Sequence, residues 1–162
     1  MPLAALLDTN VWVSAFLKPN GPPGQVVAAW GDDEFSVVTS PSQLREIAEV
    51  LSRPRLIRRF RYPHRDSEAF VRLIAVRATV VQTTGELQIC RDPDDDQIVE
   101  AVIGGKAQYL VTRDDDLKRD LDLIKMARRN RVRVVSVRQF LLRLARKQSG
   151  NYSFRQFSFA LV

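Results

Sequence analysis

Short apolar runs alternate along the chain with longer stretches whose apolar residues recur every three to four positions. The short runs predict buried strands and the longer stretches predict amphipathic helices. The predicted strands cover residues 3–7, 34–40, 79–82, 107–112 and 132–137. The predicted helices start at Pro23, at Ser40 or Ser42, and near residues 66, 92, 117 and 138, the last ending near Lys147. This alternation predicts an α/β three-layer α/β/α sandwich around a mostly parallel central sheet.

The length and composition fit one globular domain. A chain of 162 residues can bury a full hydrophobic core, and its 45% hydrophobic content is too high for disorder. We predict a domain over residues 1–147 and a C-terminal tail over 148–162 of unknown role. That apolar tail could pack on a partner, on a second copy or on its own core. No apolar run is long enough to span a bilayer and no signal peptide is visible, so we expect a cytoplasmic location.

The scarcity of cysteine and histidine excludes much chemistry. Cys90 and His64 are the single examples of their types, so neither a disulfide nor a four-ligand zinc site can form within the chain. His64 lies among arginines in RYPHRD, where a solvated histidine is the simplest interpretation. A metal bound here would have oxygen ligands, which favours Mg²⁺ or Mn²⁺.

Several carboxylates are predicted to meet at one edge of the sheet. Asp8 ends the first strand and Asp114 follows the fourth. The helix with Glu46 begins where the second strand ends, and the helix that starts with Asp94–Asp96 begins at the same edge if its crossover is right-handed. In parallel sheets, ligands bind beyond the carboxyl ends of the strands.

Helical geometry ranks the candidates within each acidic group. Glu46 is nearer the edge than Glu49, which we expect to face solvent. Asp95 precedes Ile98 and Val99 by three and four residues, so we expect it on the buried face, with Asp96 as the alternative and Asp94 as the helix cap.

Carboxylates held close together repel each other unless a cation or a proton intervenes. A divalent cation at this edge could activate water and support in-line displacement at a phosphodiester. Asp8 would then be a metal ligand, oriented by Thr9 and Asn10. Each residue also has an ordinary structural alternative: Asp8 as a helix cap, the acidic run as a helix N-terminus favoured by the dipole, and Glu46 as an exposed helical residue.

The charge distribution suits a polyanionic partner. The net charge is +6, and residues 118–147 contain eleven basic residues and two acidic ones. A second basic cluster spans Arg53–Arg65. Such surfaces bind polyanions such as nucleic acid, although a solvated face that favours solubility is the alternative. The candidate RNA phosphate contacts are Arg53, Arg55, Arg58, Arg59, Lys118 and Arg119.

Three segments occur in an order that resembles a known family. They are LLDTNVWVSAF at residues 6–16, TSPSQLREIAEVLSRPRL at 39–56 and RDPDDDQIVEAVIGGKAQYLVTRDDDL at 91–117. Together they resemble the PIN-domain family, and within it the VapC-like toxins of toxin–antitoxin systems, over roughly residues 3–142. The resemblance implies a PIN-like fold, Mg²⁺- or Mn²⁺-dependent endoribonuclease activity, a cognate antitoxin as partner and possible homodimer formation.

The resemblance also assigns site residues by position. The residues that match the family's four acids are Asp8, Glu46, Asp95 and Asp114. Further candidates for the metal are Asp96 and Asp116, and the polar residues that border the site are Thr9, Asn10 and Thr112. The sequence departs from the subgroup at Lys106 and Gln108, which lie on the approach to a strand and outside the site.

Three other functions stay open at this stage. A phosphatase with an aspartyl nucleophile would want a second aspartate two residues after Asp8, where this chain has Asn10. A catalytically silent PIN-like module could bind RNA or a protein. Cleavage of structured DNA is a third alternative, although the chain lacks the large insertions expected there.

Overall fold

The structure is a computed structural model that describes residues 2–113 and 121–158, with side chains described as far as residue 149. Within these residues five strands alternate with eight helices. In chain order the elements are β1 (Ala4–Leu7), α1 (Thr9–Leu17), α2 (Pro22–Gly31), β2 (Ser36–Thr39), α3 (Pro41–Leu51), α4 (Pro54–Phe60), α5 (His64–Arg77), β3 (Thr79–Val80), α6 (Pro93–Gly104), β4 (Tyr109–Thr112), α7 (Leu121–Arg129), β5 (Arg133–Ser136) and α8 (Val137–Ser158).

The five strands form one parallel sheet in the order β3-β2-β1-β4-β5. The first strand of the chain is therefore central: Ala5 pairs with Val37 of β2 on one side and with Tyr109 of β4 on the other. Parallel pairing places the carboxyl ends of all five strands at one edge of the sheet, which we call the rim. The predicted α/β class with a parallel sheet is confirmed.

Helices cover both faces of the sheet because alternate residues of β1 point in opposite directions. Leu7 belongs to a large core cluster that includes Trp12 of α1 and Phe140 of α8. Leu6 belongs to a smaller cluster on the other face, together with Val102 of α6. These two cores on either side of one sheet give the predicted three-layer arrangement.

Two helices that start at the rim, α3 and α6, begin with side-chain caps. Ser40 caps α3, where its Oγ accepts a hydrogen bond from the Gln43 N–H at 3.2 Å, and Pro41 follows it. In α6 the cap is Asp92, whose carboxylate accepts from the Asp94 N–H at 3.0 Å. The expectation that Asp94 caps this helix is therefore wrong, because the helix starts at Pro93 and places Asp94 in its first turn.

Other boundaries differ from those expected. The predicted elements do not include α1 or α4, and the last predicted helix ends near Lys147, whereas α8 continues to Ser158. Residues 145–149 of this helix are all exposed. The division of the chain at residue 147 remains a prediction. None of the helices in the described part of the chain has the length and apolar character needed to cross a membrane.

Candidate functional site

Asp8 lies at the rim directly after the central strand, and its side chain is half-buried. Its backbone N–H donates to the Val111 carbonyl at 2.8 Å, which continues the pairing of β1 with β4 by one step. Its carboxylate Oδ2 accepts a hydrogen bond from Thr112 Oγ1 at 3.2 Å. Although Asp8 occupies the N-cap position of α1, its side chain makes no capping hydrogen bond. The structure therefore does not support the helix-cap alternative for Asp8.

Glu46 reaches the same edge from α3. Thr9 Oγ1 donates to Glu46 Oε2 at 2.6 Å, and Thr9 is the residue that follows Asp8. The threonine is buried and Glu46 is exposed, so the hydroxyl anchors one carboxylate oxygen while the side chain stays accessible. The structure thus brings Thr9 and Glu46 into contact and holds Asp8 and Glu46 through two threonine hydroxyls.

Gln43 is a polar residue at the rim that the sequence analysis did not single out. It is buried on the inner face of α3, in line with Ile47 and Leu51. Its Nε2 donates to the Leu7 carbonyl at 2.7 Å, and its Oε1 accepts from Thr39 Oγ1 at 2.6 Å. A polar residue at a core position of an amphipathic helix was the signal that could have identified it.

The acidic start of α6 has a different burial pattern from the one expected. Asp96 is the buried member, at 5% relative exposure, whereas Asp95 is half-buried and Asp94 is exposed. Asp96 Oδ1 accepts from the backbone N–H groups of Ile89 and Cys90 at 3.0 and 2.7 Å. The expectation that Asp95 is the more buried residue is wrong, because the preceding loop packs over Asp96.

Glu100, one helical turn after Asp96, binds an earlier part of the same loop. Its carboxylate accepts backbone N–H groups from Thr84 at 2.7 Å, Leu87 at 3.0 Å and Gly85 at 3.4 Å. These bonds favour the ionised form, led by the one from Leu87, and they hold the pKa of Glu100 below its usual value. The two carboxylates together fix residues 84–90, which we call the α6 loop.

A cavity of about 250 Å³ opens between α3 and α6. Glu46 and Glu49 line it from α3, and Asp94 and Gln97 line it from α6. Arg45 is the basic residue in its wall. Glu49 is exposed, as expected, and it shares this cavity with Glu46. The second and third turns of α3 and the first turn of α6 thus present carboxylates to a common space that a phosphate or a cation could enter.

The oxygen donors at the rim are of the type that Mg²⁺ and Mn²⁺ prefer. Among residues 2–113 and 121–158, however, no group of three or more histidine, cysteine, aspartate or glutamate side chains is arranged to hold a metal ion. Asp114, the fourth predicted acid, and Asp116 lie outside the described residues, as do Lys118 and Arg119. The described donor set fits such an ion in chemical type, with Asp8 and Glu46 as its two anchored carboxylates.

The arginines of the second basic cluster are exposed. Arg53 precedes α4, and Arg55, Arg58 and Arg59 lie on it. Arg58 Nε donates to the Pro54 carbonyl at 3.3 Å, and the Arg59 guanidinium lies 5.4 Å from the centre of the Phe60 ring. Since α4 follows directly on α3, this cationic surface is next in the chain to the helix that bears Glu46.

The family of the chain follows from a sequence comparison. The model of the PIN domain family matches residues 4–116, more than half of the chain, and the chain therefore belongs to the PIN domain family. PIN domains are in general nucleases, which are hydrolases. A curated relative, the uncharacterized protein MJ1680 of Methanocaldococcus jannaschii, is 29% identical over 115 residues, which are 71% of this chain and 73% of the relative.

A solved structure supports the same fold. The chain is similar to a chain in the crystal structure of VapBC2 from Rickettsia felis bound to a DNA fragment from their promoter. The TM-score is 0.52 at 14% identity, and the match covers 83% of this chain and 98% of that chain. The resemblance to the PIN-domain family predicted from three sequence segments is confirmed, and the VapBC2 chain shares the fold.

Proposed function

We propose that this PIN domain is a divalent-metal-dependent endoribonuclease that hydrolyses RNA phosphodiester bonds in the cytoplasm. The observation that carries the proposal is the anchoring of two carboxylates at the rim, Asp8 by Thr112 and Glu46 by Thr9. Carboxylates that buried hydroxyls orient at the rim suit a metal ion better than a purely structural role, since neither hydroxyl caps a helix.

In this proposal Asp8, Glu46, Asp95 and Asp114 would hold Mg²⁺ or Mn²⁺, with Asp116 as a further candidate. Such an ion would supply an activated water and would offset the negative charge at the scissile phosphate. Thr112 and Thr9 keep the lone pairs of Asp8 and Glu46 aimed at the site, and Asn10 borders it. One of the carboxylates accepts the proton of the attacking water. Asp96 is a weaker candidate, because its Oδ1 already accepts two backbone N–H groups.

The exposed arginines would position the RNA. Contacts to phosphates supply affinity without reading the sequence. We assign this role to the arginines on and before α4 and to the basic residues that follow the fourth acid. The residues are Arg53, Arg55, Arg58, Arg59, Lys118 and Arg119.

We further propose that the protein is the toxin of a toxin–antitoxin pair, with an antitoxin protein as its partner. The support is the VapC-like fold together with its similarity to a VapBC2 chain. The possible homodimer stays a prediction from family resemblance. An antitoxin would be expected to cover the rim, where bound protein would exclude RNA from the carboxylates.

The test is cleavage of labelled single-stranded RNA by the purified protein with Mg²⁺, with Mn²⁺ and with EDTA. Asp8→Asn should abolish metal-dependent cleavage and leave the fold intact. Asp32→Asn is the matched control, because Asp32 is exposed and precedes β2 at the opposite edge of the sheet from the rim. Full activity in Asp8→Asn would reject the site. Metal binding by the wild type without cleavage would favour a silent RNA- or protein-binding module instead.

A further inference from the structure

We propose that Gln43 is a positioning residue that fixes the two anchored carboxylates, Asp8 and Glu46, relative to each other. The inference rests on the proposed function, because it concerns the same metal-dependent site. Gln43 does not reach the substrate or the metal in this proposal. It acts through the backbone next to Asp8 and through the helix that carries Glu46.

The peptide unit between Leu7 and Asp8 is held from both sides. On one side the Asp8 N–H donates to the Val111 carbonyl of β4 at 2.8 Å. On the other side the Leu7 carbonyl accepts from Gln43 Nε2 at 2.7 Å. The pairing of β1 with β2 ends at Leu6 and Val38, so the side chain of Gln43 supplies the next hydrogen bond beyond the last strand pair. The backbone that presents Asp8 thus has a partner on each side.

The other end of the same amide is bound to β2. Gln43 Oε1 accepts from Thr39 Oγ1 at 2.6 Å, and Thr39 is the last residue of that strand. Gln43 is 6% exposed and Thr39 is fully buried, so water cannot readily replace either partner. A buried carbonyl or hydroxyl that loses its partner is costly, and the amide therefore has one favourable position between the two strand ends.

This position determines where α3 sits at the rim. Gln43 lies in the first turn of α3, and its own N–H is bound by the capping Ser40. Glu46 is three residues further along, on the next turn, where Thr9 reaches it at 2.6 Å. A shift of α3 that separated Glu46 from Thr9 would also pull the Gln43 amide away from Leu7. The Gln43 side chain therefore couples the backbone next to Asp8 to the helix that carries Glu46.

A merely structural glutamine would stabilise the fold without affecting the metal site, so the test compares two kinds of change. Gln43→Met keeps the length and removes both hydrogen bonds. Ile47→Ala, one turn further on the same buried face, weakens α3 packing and leaves the amide in place. Mn²⁺ affinity by titration calorimetry, RNA cleavage and thermal unfolding are measured for the wild type and for both variants.

We expect Gln43→Met to weaken Mn²⁺ binding by about 10-fold or more, the range found when a partner that orients a metal ligand is lost. The value of kcat should fall by a similar factor with little change in KM, because the basic residues proposed to bind phosphate lie on and before α4 and after the fourth acid. Ile47→Ala should lower the unfolding temperature and leave the Mn²⁺ affinity of the folded protein unchanged. Equal Mn²⁺ affinities in Gln43→Met and wild type would overturn the inference, as would an equal loss in Ile47→Ala.

Gln43→Glu gives a second, pH-dependent test that does not depend on how well the methionine variant folds. Its carboxylate can accept from Thr39, but it can donate to the Leu7 carbonyl only when protonated. Burial raises the pKa of such a carboxyl, so protonation occurs in mildly acidic solution. At each pH, the Mn²⁺ affinity of each variant is divided by that of wild type. This ratio should rise towards one for Gln43→Glu as the pH falls, whereas it should not change with pH for Gln43→Met.

The outcomes separate this inference from the proposed function. A wild type that binds Mn²⁺ without cleaving RNA would refute the ribonuclease, and the affinity ratios would still decide the role of Gln43. A Gln43→Glu ratio that is independent of pH would overturn the positioning role. A wild type that binds no Mn²⁺ would overturn both.

Discussion

At the scale of single residues, the candidate site depends on hydroxyl groups as much as on acids. Thr112 and Thr9 each donate to one carboxylate oxygen, at 3.2 and 2.6 Å. Both threonines are buried, so their hydroxyl groups have little access to water as an alternative partner. Such hydroxyls hold a carboxylate in one orientation before a cation arrives and reduce the reorganisation that binding requires.

Thr9→Val should lower kcat by about 10-fold, because valine has the same shape and lacks the hydroxyl that orients Glu46. Thr9→Ser restores the donor and should recover most of the activity. The KM for RNA should change little in either variant, since the interaction does not involve substrate. Steady-state cleavage kinetics with Mn²⁺ measure both values, and valine activity equal to wild type would contradict the role given to this hydroxyl.

The roles of Asp95 and Asp96 can be distinguished by replacing each in turn with asparagine. Asp96→Asn keeps the Oδ1 that accepts from Ile89 and Cys90, so we expect a stable protein with nearly full activity. Asp95→Asn removes a proposed metal ligand and should reduce cleavage by more than the ~10–100-fold typical of an orienting partner. RNA cleavage and thermal unfolding of the two variants decide the assignment, and the reverse order of activities would make Asp96 the third acid.

The sequence predicted the edge at which these residues lie better than it predicted their detailed roles. The parallel alternation placed Asp8 and the helix of Glu46 at the same end of the sheet because strand direction alone determines it. Gln43 could not be identified in this way, since its role depends on where β1 and β2 stop pairing. The sequence also could not predict which of Asp95 and Asp96 is more buried, because that depends on the packing of the α6 loop.

At the scale of secondary-structure elements, α6 combines two functions. Its first turn presents acids at the rim, and Asp96 of this turn and Glu100 of the next turn hold the α6 loop. Five backbone N–H groups of this loop are satisfied by the two side chains, namely those of Thr84, Gly85, Leu87, Ile89 and Cys90. The loop thereby forms a stable wall beside the acidic turn.

The pH dependence of stability should report the contact between Glu100 and the loop. Folding lowers the pKa of Glu100, so its ionised carboxylate stabilises the folded state. This contribution to the free energy of unfolding is fully present above the pKa that Glu100 has in the unfolded chain. It is lost as the pH falls through the lower pKa of the folded state. Glu100→Gln should therefore unfold at a lower temperature than wild type near pH 7, and the gap should shrink towards about pH 3. A gap of constant size across that range would show that the charge of Glu100 is not what stabilises the loop.

Two helices were absent from the sequence analysis for different physical reasons. The stretch that forms α1 is almost continuously apolar, with Val11, Trp12 and Val13 all buried, and periodicity cannot separate a buried helix from a strand in such a run. The stretch that forms α4 is only seven residues long and has no fully buried residue, so it is too short for a helical period to be recognised. Pro54 starts this helix as well as ending the previous one, and both positions suit proline.

At the scale of the whole molecule, a net positive charge accompanies the group of carboxylates at the rim. The net charge of +6 includes the exposed arginines of α4, which lie next in the chain to the helix of Glu46. Cationic surface near a group of carboxylates lets an RNA backbone approach a site that would otherwise repel it. The same charge makes binding sensitive to ionic strength.

Replacing both Arg55 and Arg58 with alanine should weaken binding of single-stranded RNA and reduce its dependence on salt. Each lost phosphate contact lowers the slope of log K against log salt concentration by about 0.7, so the double variant should lose up to about 1.4. Lys18→Ala, at an exposed lysine between α1 and α2, is the control and should leave the slope unchanged. Binding measured at several salt concentrations by fluorescence anisotropy gives the slopes, and equal slopes for wild type and double variant would exclude α4 as a contact surface.

The central place of β1 in the sheet has a consequence for synthesis on the ribosome. Asp8 is synthesised before Thr112, which orients it and lies 104 residues later in the chain. Contacts between such distant segments form late, after the intervening chain has been translated. A nascent chain that has not yet produced β4 carries the first acid without its hydroxyl partner. Under the proposed function, cleavage should therefore begin only when most of the domain has been translated.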